Sequence, residues 1–265
     1  MSDFEVAIVL DPFWAYPRHN LALAHLAEGD GAEAHGAYEQ GLLFAGYYGL
    51  DTGYLHHNSG ALYAREQQWD LARDEFNGAA EAFHSEYLNC EEVRVRAVGD
   101  HDTATEKWAK ERAAGLARAQ ADAINAIGTT YAVNGAYGRA EAEYRKAIQL
   151  DSDSLEAHRN LGLAILRRAH SEDQFNEALG EFTLTKQLAD SDDGPPLQFR
   201  ARVDLGEFFL RSARTRKVRS ADDRRKNTAD YSLAADQFSA ALTYFPADVR
   251  ALENLKAAQK GRGIP

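Results

Sequence analysis

The pattern Tyr-x-x-His-Asn occurs twice in this chain, as Tyr16-Pro17-Arg18-His19-Asn20 and as Tyr54-Leu55-His56-His57-Asn58. These residue types suit recognition rather than bond breaking. An asparagine amide carries both a donor and an acceptor, so it can pair with an extended peptide backbone without reading its side chains. Tyrosine adds apolar area with a polar tip. Catalytic groupings are another matter. The nine histidines include no His-Glu-x-x-His, and His56-His57 is too local to build a tetrahedral metal site. Gly29-Asp30-Gly31 follows no strand and so makes no phosphate loop. Cys90 stands alone, which removes a disulfide framework and a cysteine metal cage. The expectation is a non-enzymatic protein with no metal and no cofactor.

The elements that position these residues must be helices. The 265 residues hold 47 alanines and 27 leucines but only 15 valines and isoleucines together. That balance favours helix and leaves little for a sheet. Hydrophobic residues make up 45%, enough for a sizeable core. No apolar run approaches the ~18 residues of a membrane span, and no secretory signal is visible. The expected compartment is therefore the cytoplasm. A net charge of -11 argues against general nucleic-acid binding.

Self-similarity organises the chain. Asn20-Leu21-Ala22 is followed by Gly29, Ala34 and Tyr38; Asn58-Ser59-Gly60 by Tyr63, Ala72 and Phe76; Ile127-Gly128 by Tyr131, Gly135, Ala140 and Tyr144. A unit starting near Ala121 gives way to another near Leu155, 34 residues later. Asn160-Leu161-Gly162 with Ala178 and Phe182, and Leu205-Gly206 with Ala234 and Phe238, continue the series with extra residues in their turns. The pattern resembles the tetratricopeptide (TPR) repeat, a 34-residue helix-turn-helix. The resemblance implies an all-α, right-handed α-solenoid over residues 1–265. Its units are a partial repeat at 1–14, repeats at 15–52, 53–86, 87–120, 121–154, 155–198 and 199–248, and a terminal helix at 249–265. Gly60, Gly128, Gly162 and Gly206, matched by Ala72, Ala140, Ala178 and Ala234, let paired helices approach. Tyr38, Phe76, Tyr144, Phe182 and Phe238 fill the space between hairpins. The 87–120 unit is degenerate, because Arg94, Glu106 and Lys110 fall where small or aromatic residues belong. Thr103 with Glu106 reads as a capping box that starts a helix there.

In a TPR stack the first helices line the inner groove. The positions that would face it are Tyr16, His19, Asn20 and Leu23; then Tyr54, His57 and Asn58; then Asn125; then Arg159, Asn160, Leu163 and Arg167; then Asp204, Glu207 and Arg211. Asn20, Asn58, Asn160 and Asn254 hold the same place in their units. A similar asparagine ladder holds peptide backbone in the TPR region of protein O-GlcNAc transferases, although Ala126 and Asp204 interrupt it here. Pairing with a neighbouring repeat is the competing use of these amides. The family's carboxylate clamp wants Lys where His19 and His57 stand, and only Arg159 and Arg167 resemble its cations. Histidines become better carboxylate partners as they protonate near pH ~6.5.

Two further features concern partners. The Arg211–Lys226 insertion carries eight basic residues against two acidic ones. It reads as a mobile loop or polar helix extensions, with an anionic partner as the alternative use. Phe4, Ala7-Ile8 and Asp11-Pro12 match the end of a second helix, so the chain starts in mid-repeat. It is then either a piece of a longer array or a stack capped by a lone helix. The leading functional reading is an adaptor that binds a peptide segment or partner protein in its concave groove. The alternatives are the substrate-recruiting region of a larger, glycosyltransferase-like enzyme, and a scaffold that self-associates through the N-terminal half-repeat.

Overall fold

The computed structural model describes residues 3–11, 15–48, 52–191 and 194–263, and all regular structure among them is helical. Pro12, read above as the end of a second helix, lies outside the described residues. The chain forms two compact units, Met1–Ala157 and His158–Pro265. The first holds α1 (Asp3–Leu10), α2 (Ala15–Glu28), α3 (Gly31–Tyr48), α4 (Gly53–Arg65), α5 (Trp69–Gly99), α6 (Thr103–Val133) and α7 (Tyr137–Leu150). The boundary falls within α8 (Leu155–Arg168), after which come α9 (Glu172–Asp190), α10 (Pro195–Thr215), α11 (Ala221–Ala241) and α12 (Val249–Gly261).

A single contact recurs in the hairpins. A Cβ placed on Gly60 would lie 2.9 Å from the Phe76 ring, on Gly128 2.6 Å from Tyr144, on Gly162 3.2 Å from Phe182, and on Gly206 2.9 Å from Phe238. The aromatic side chain of each second helix thus lies against the bare backbone of its own first helix, a closer engagement than filling space between hairpins. Phe182 and Phe238 are at most 1% exposed, and burying one such ring contributes about 1.5–3 kcal/mol. In the first hairpin Ala22 takes the glycine's place, and it and Tyr38 are fully buried.

Helix ends explain the repeat length. The backbone N–H groups of Asp30, Gln68, Asp102 and Ala136 each donate to a carbonyl five residues back, closing α2, α4, α5 and α6. The residue just before each is left-handed: Gly29 (φ 86°), Gln67 (62°), His101 (59°) and Gly135 (75°). This is the geometry in which a helix satisfies its last carbonyls before reversing. Gln67, His101 and Gly135 are spaced at the repeat length, so the 87–120 segment keeps its central turn in phase. It has lost the breaks on either side. Residues 84–88 and 118–122 contain neither glycine nor proline, so each half fuses with the neighbouring helix, and α5 and α6 both reach 31 residues. Phe83, Cys90 and Ala97 are buried along α5, and Ala109, Ala113 and Leu116 along α6. Arg94 pairs with Glu91 at 2.8 Å instead of packing. The cap of α6 also differs from expectation. Asp102, not Thr103, accepts the Thr105 N–H at 3.1 Å, because a carboxylate meets the positive helix start better than a hydroxyl.

The basic insertion extends two helices. Between α10 and α11 only residues 216–220 are not helical, and Ser220 with Asp223 forms a capping box. Asp230 accepts from Ser212 at 2.8 Å and from Arg216 at 2.9 Å, which ties the extension to its hairpin.

Two glycines of α6 separate propensity from packing. A Cβ on Gly115 would meet nothing within 4 Å, so Gly115→Ala should stabilise the chain by up to about 1 kcal/mol. Gly128→Ala should destabilise it by about 1–3 kcal/mol, because the Tyr144 ring must move. Urea unfolding of the two variants checks both signs.

Candidate functional site

The sequence-derived site residues fall on first helices, in one set per unit. In the first unit, α2 presents Tyr16, which is 62% exposed, with His19 and Asn20 half-buried behind it. The Tyr16 and His19 rings lie 6.3 Å apart, and His19 lies 6.2 Å from the Tyr38 ring. α4 brings Asn58 beside them, its Nδ2 at 3.5 Å from His19 Nδ1. Tyr54 is 45% exposed and meets the Phe83 ring edge-on at 4.9 Å. His57 packs against Phe76 at 5.5 Å. Asn125 sits half-buried on α6, with its carbonyl accepting from Thr129 Oγ1 at 3.1 Å. Tyr16, His19 and Asn58 therefore form one cluster, with Tyr54 and His57 on the same helix as Asn58.

In the second unit the first helices are α8, α10 and α12. Arg159 grips Asp204 with Nε and, at 3.2 Å, with Nη2, although Asp204 is only 8% exposed. Arg250 grips Glu207 through two bonds of 2.7 Å, and Asn254 Nδ2 donates to the same carboxylate at 3.1 Å. The Glu207 carboxylate, bonded to the Arg250 guanidinium, raises the guanidinium's pKa above its ordinary value. On either side of this double bridge the surface opens. A cleft of about 650 Å³ is walled by Phe199, Val203, Tyr244, Phe245 and Pro246. A second, of about 500 Å³, includes Leu163, Leu166, Arg167, Phe208, Arg211 and Arg214. Arg167 is exposed and Asn160 half-buried.

No family model matches the sequence, and no curated protein matches it. Solved structures do. YrrB, a TPR protein with an unusual peptide-binding site, superposes with a TM-score of 0.53 at 17% identity, over 96% of this chain and 98% of that one. TTC0263, a thermophilic TPR protein from Thermus thermophilus, superposes with a TM-score of 0.50 at 13% identity, over 93% and 100%. The chain has the TPR fold.

Within that fold the polar first-helix residues bond largely to one another. Asn58 reaches one hairpin back to His19, and Asn254 one hairpin back to Glu207. Where an incoming carboxylate would seek Arg159, the chain supplies its own in Asp204. Other histidines pin helix to helix inside hairpins: His56 to Glu75 at 2.9 Å and His158 to Glu181 at 2.6 Å. Sequence reasoning missed Arg250 and the aromatic cleft. An arginine on α12 opposite an acid one repeat earlier was the available signal for the first. The cleft had none, since Phe199 and Phe245 lie far apart in sequence and meet only by folding, at 5.0 Å.

Burial pushes the His57 pKa below its ordinary 6.5, so its charged form appears only in more acidic solution than pattern reading implies. The unfolded chain then takes up this proton first. Stability from the site is full above pH ~6.5 and is lost as pH falls through the lower folded value. His57→Gln should therefore flatten the fall of melting temperature between about pH 7 and 5 relative to the parent chain. Parallel curves would show that His57 is not the group responsible.

Proposed function

We propose that the chain is a non-enzymatic TPR adaptor that binds a peptide segment or partner protein on the exposed faces of its first helices. The contacts would come from Tyr16, His19, Asn20, Tyr54, His57, Asn58 and Asn125 in the first unit and from Asn160 and Arg167 in the second, with Arg159, held by Asp204, forming part of the cleft wall. The supporting observation is the double cleft of the second unit, where apolar walls and open arginines meet a fully satisfied ion-pair bridge. Large apolar side chains left in solvent on first helices, Tyr16, Leu23 and Tyr54, add anchors of the kind that dominate interfaces. Among the described residues no helix is long and apolar enough to cross a membrane.

The test is affinity capture with the intact chain, followed by binding measurements on the captured protein. Arg167→Ala and Leu23→Ala should each weaken that binding by about 0.5–1.5 kcal/mol and leave the melting temperature nearly unchanged. Loss of thermal stability with unchanged binding would reduce these residues to structural roles.

One observation favours self-association as a second reading. α1 has no buried residue, and Val9 and Leu10 are 68% and 81% exposed. A short helix whose apolar side chains stand in solvent offers a surface that a second copy can cover. Light scattering should then show mass rising with concentration in the parent chain and a constant monomer in Val9→Asp. A monomer in both would eliminate the reading.

A further inference from the structure

The two clefts of the second unit share a wall. Asp204 and Arg250 line both, so the clefts lie on either side of the Arg159–Asp204 and Arg250–Glu207 pairs. Their chemistries differ. The first cleft is aromatic, with Phe245 41% exposed. The second has an apolar floor rimmed by Arg167, Arg211 and Arg214, and none of these three has an acidic partner within ion-pair distance among the described residues. The carboxylates of that cleft, Asp204 and Glu207, are already occupied by Arg159 and Arg250. Local charge is therefore open and positive within a chain of net charge -11.

Resting on the peptide-groove reading above, we propose that this double cleft docks an extended protein segment carrying a bulky apolar side chain and a cluster of acidic ones. The apolar side chain enters the cleft of Phe199, Tyr244 and Phe245. The acids meet Arg167, Arg211 and Arg214, where guanidinium forks bind carboxylates bidentately. The spacing follows from α10, which lines both clefts. From the midpoint of Phe199 and Val203 to that of Arg211 and Arg214 is between eleven and twelve residues, or about 17 Å along a helix rising 1.5 Å per residue. An extended segment covers that distance in about five residues. A protein ligand fits better than a nucleic acid, because a net charge of -11 repels a polyanion and the rings directly beneath the arginines, Phe182 and Phe208, are 1% and 4% exposed.

The experiment is fluorescence anisotropy on the intact chain with a fluorescein-labelled peptide holding one Trp, a five-residue Gly-Ser spacer and Glu-Asp-Glu, made in both directions. One direction should bind. Combining Arg167→Glu with Arg211→Glu should weaken it at least about tenfold, Arg211→Gln by less, and a rise in salt should weaken it further. Phe245→Ala and a one-residue spacer should each weaken it severalfold. Lys107→Glu, which lines neither cleft, should leave it unchanged, and circular dichroism should confirm that every variant folds. A peptide with Gln-Asn-Gln binding as well as the acidic one would overturn the acidic specificity. If that neutral binding is lost in Leu163→Asp, the groove reading itself survives; if no groove variant affects it, both readings fall. A twelve-nucleotide RNA that binds more tightly than the peptide, and is lost in the same arginine variants, would assign the cations to nucleic acid and overturn the proposal.

Discussion

The contact on which this structure depends is an aromatic ring laid on a helix backbone. In four hairpins the first helix presents a glycine and the second a phenylalanine or tyrosine, and the ring occupies the space a Cβ would need. Dispersion across that flat contact and removal of the ring from water act together. The distance between paired helices is then set by the thickness of a ring rather than by interlocking side chains. The glycine costs helix propensity, about 1 kcal/mol against alanine, and the buried ring offsets it.

Because packing uses one side of each first helix, the opposite side is left to polar chemistry. That face is not a row of idle donors. Asn58 with His19, Arg159 with Asp204, and Arg250 and Asn254 with Glu207 join successive hairpins. A partly buried carboxylate is costly to leave unpaired, so these pairs hold one another in place. What such a surface can recruit is decided by the groups left over after internal pairing. Around the clefts of the second unit the remainder includes Arg167, Arg211 and Arg214 and an aromatic wall.

Loss of repeat punctuation produces the long α5–α6 hairpin. A TPR unit needs a break after each helix, and the segment from 87 to 120 retains only its central one, at His101. With no glycine or proline at its flanks, helix propagation continues, since each added residue gains a backbone hydrogen bond at little further cost. The charged residues that looked misplaced in a repeat become ordinary surface residues of a two-helix arm, as Arg94 with Glu91 shows.

Helix content, the glycine and aromatic positions and the turns at Gly29 and Gly135 could be read from the sequence, because each is a local preference or a periodic one. The helix that carries each candidate residue could be read too, since a repeat register assigns every residue to its helix. The pairing of those residues could not. Arg159 and Arg167 looked alike as groove cations, yet folding places Asp204 against the first and leaves the second open. His57 looked like a titrating partner for a carboxylate, and burial against Phe76 lowers its pKa instead. Fusion of the degenerate unit into long helices and assembly of the aromatic cleft were likewise decided by tertiary structure. Periodicity reports which way a side chain faces. Charge pairing, desolvation and cavities depend on what distant residues bring to the same few ångströms, and those distances exist only in the folded chain.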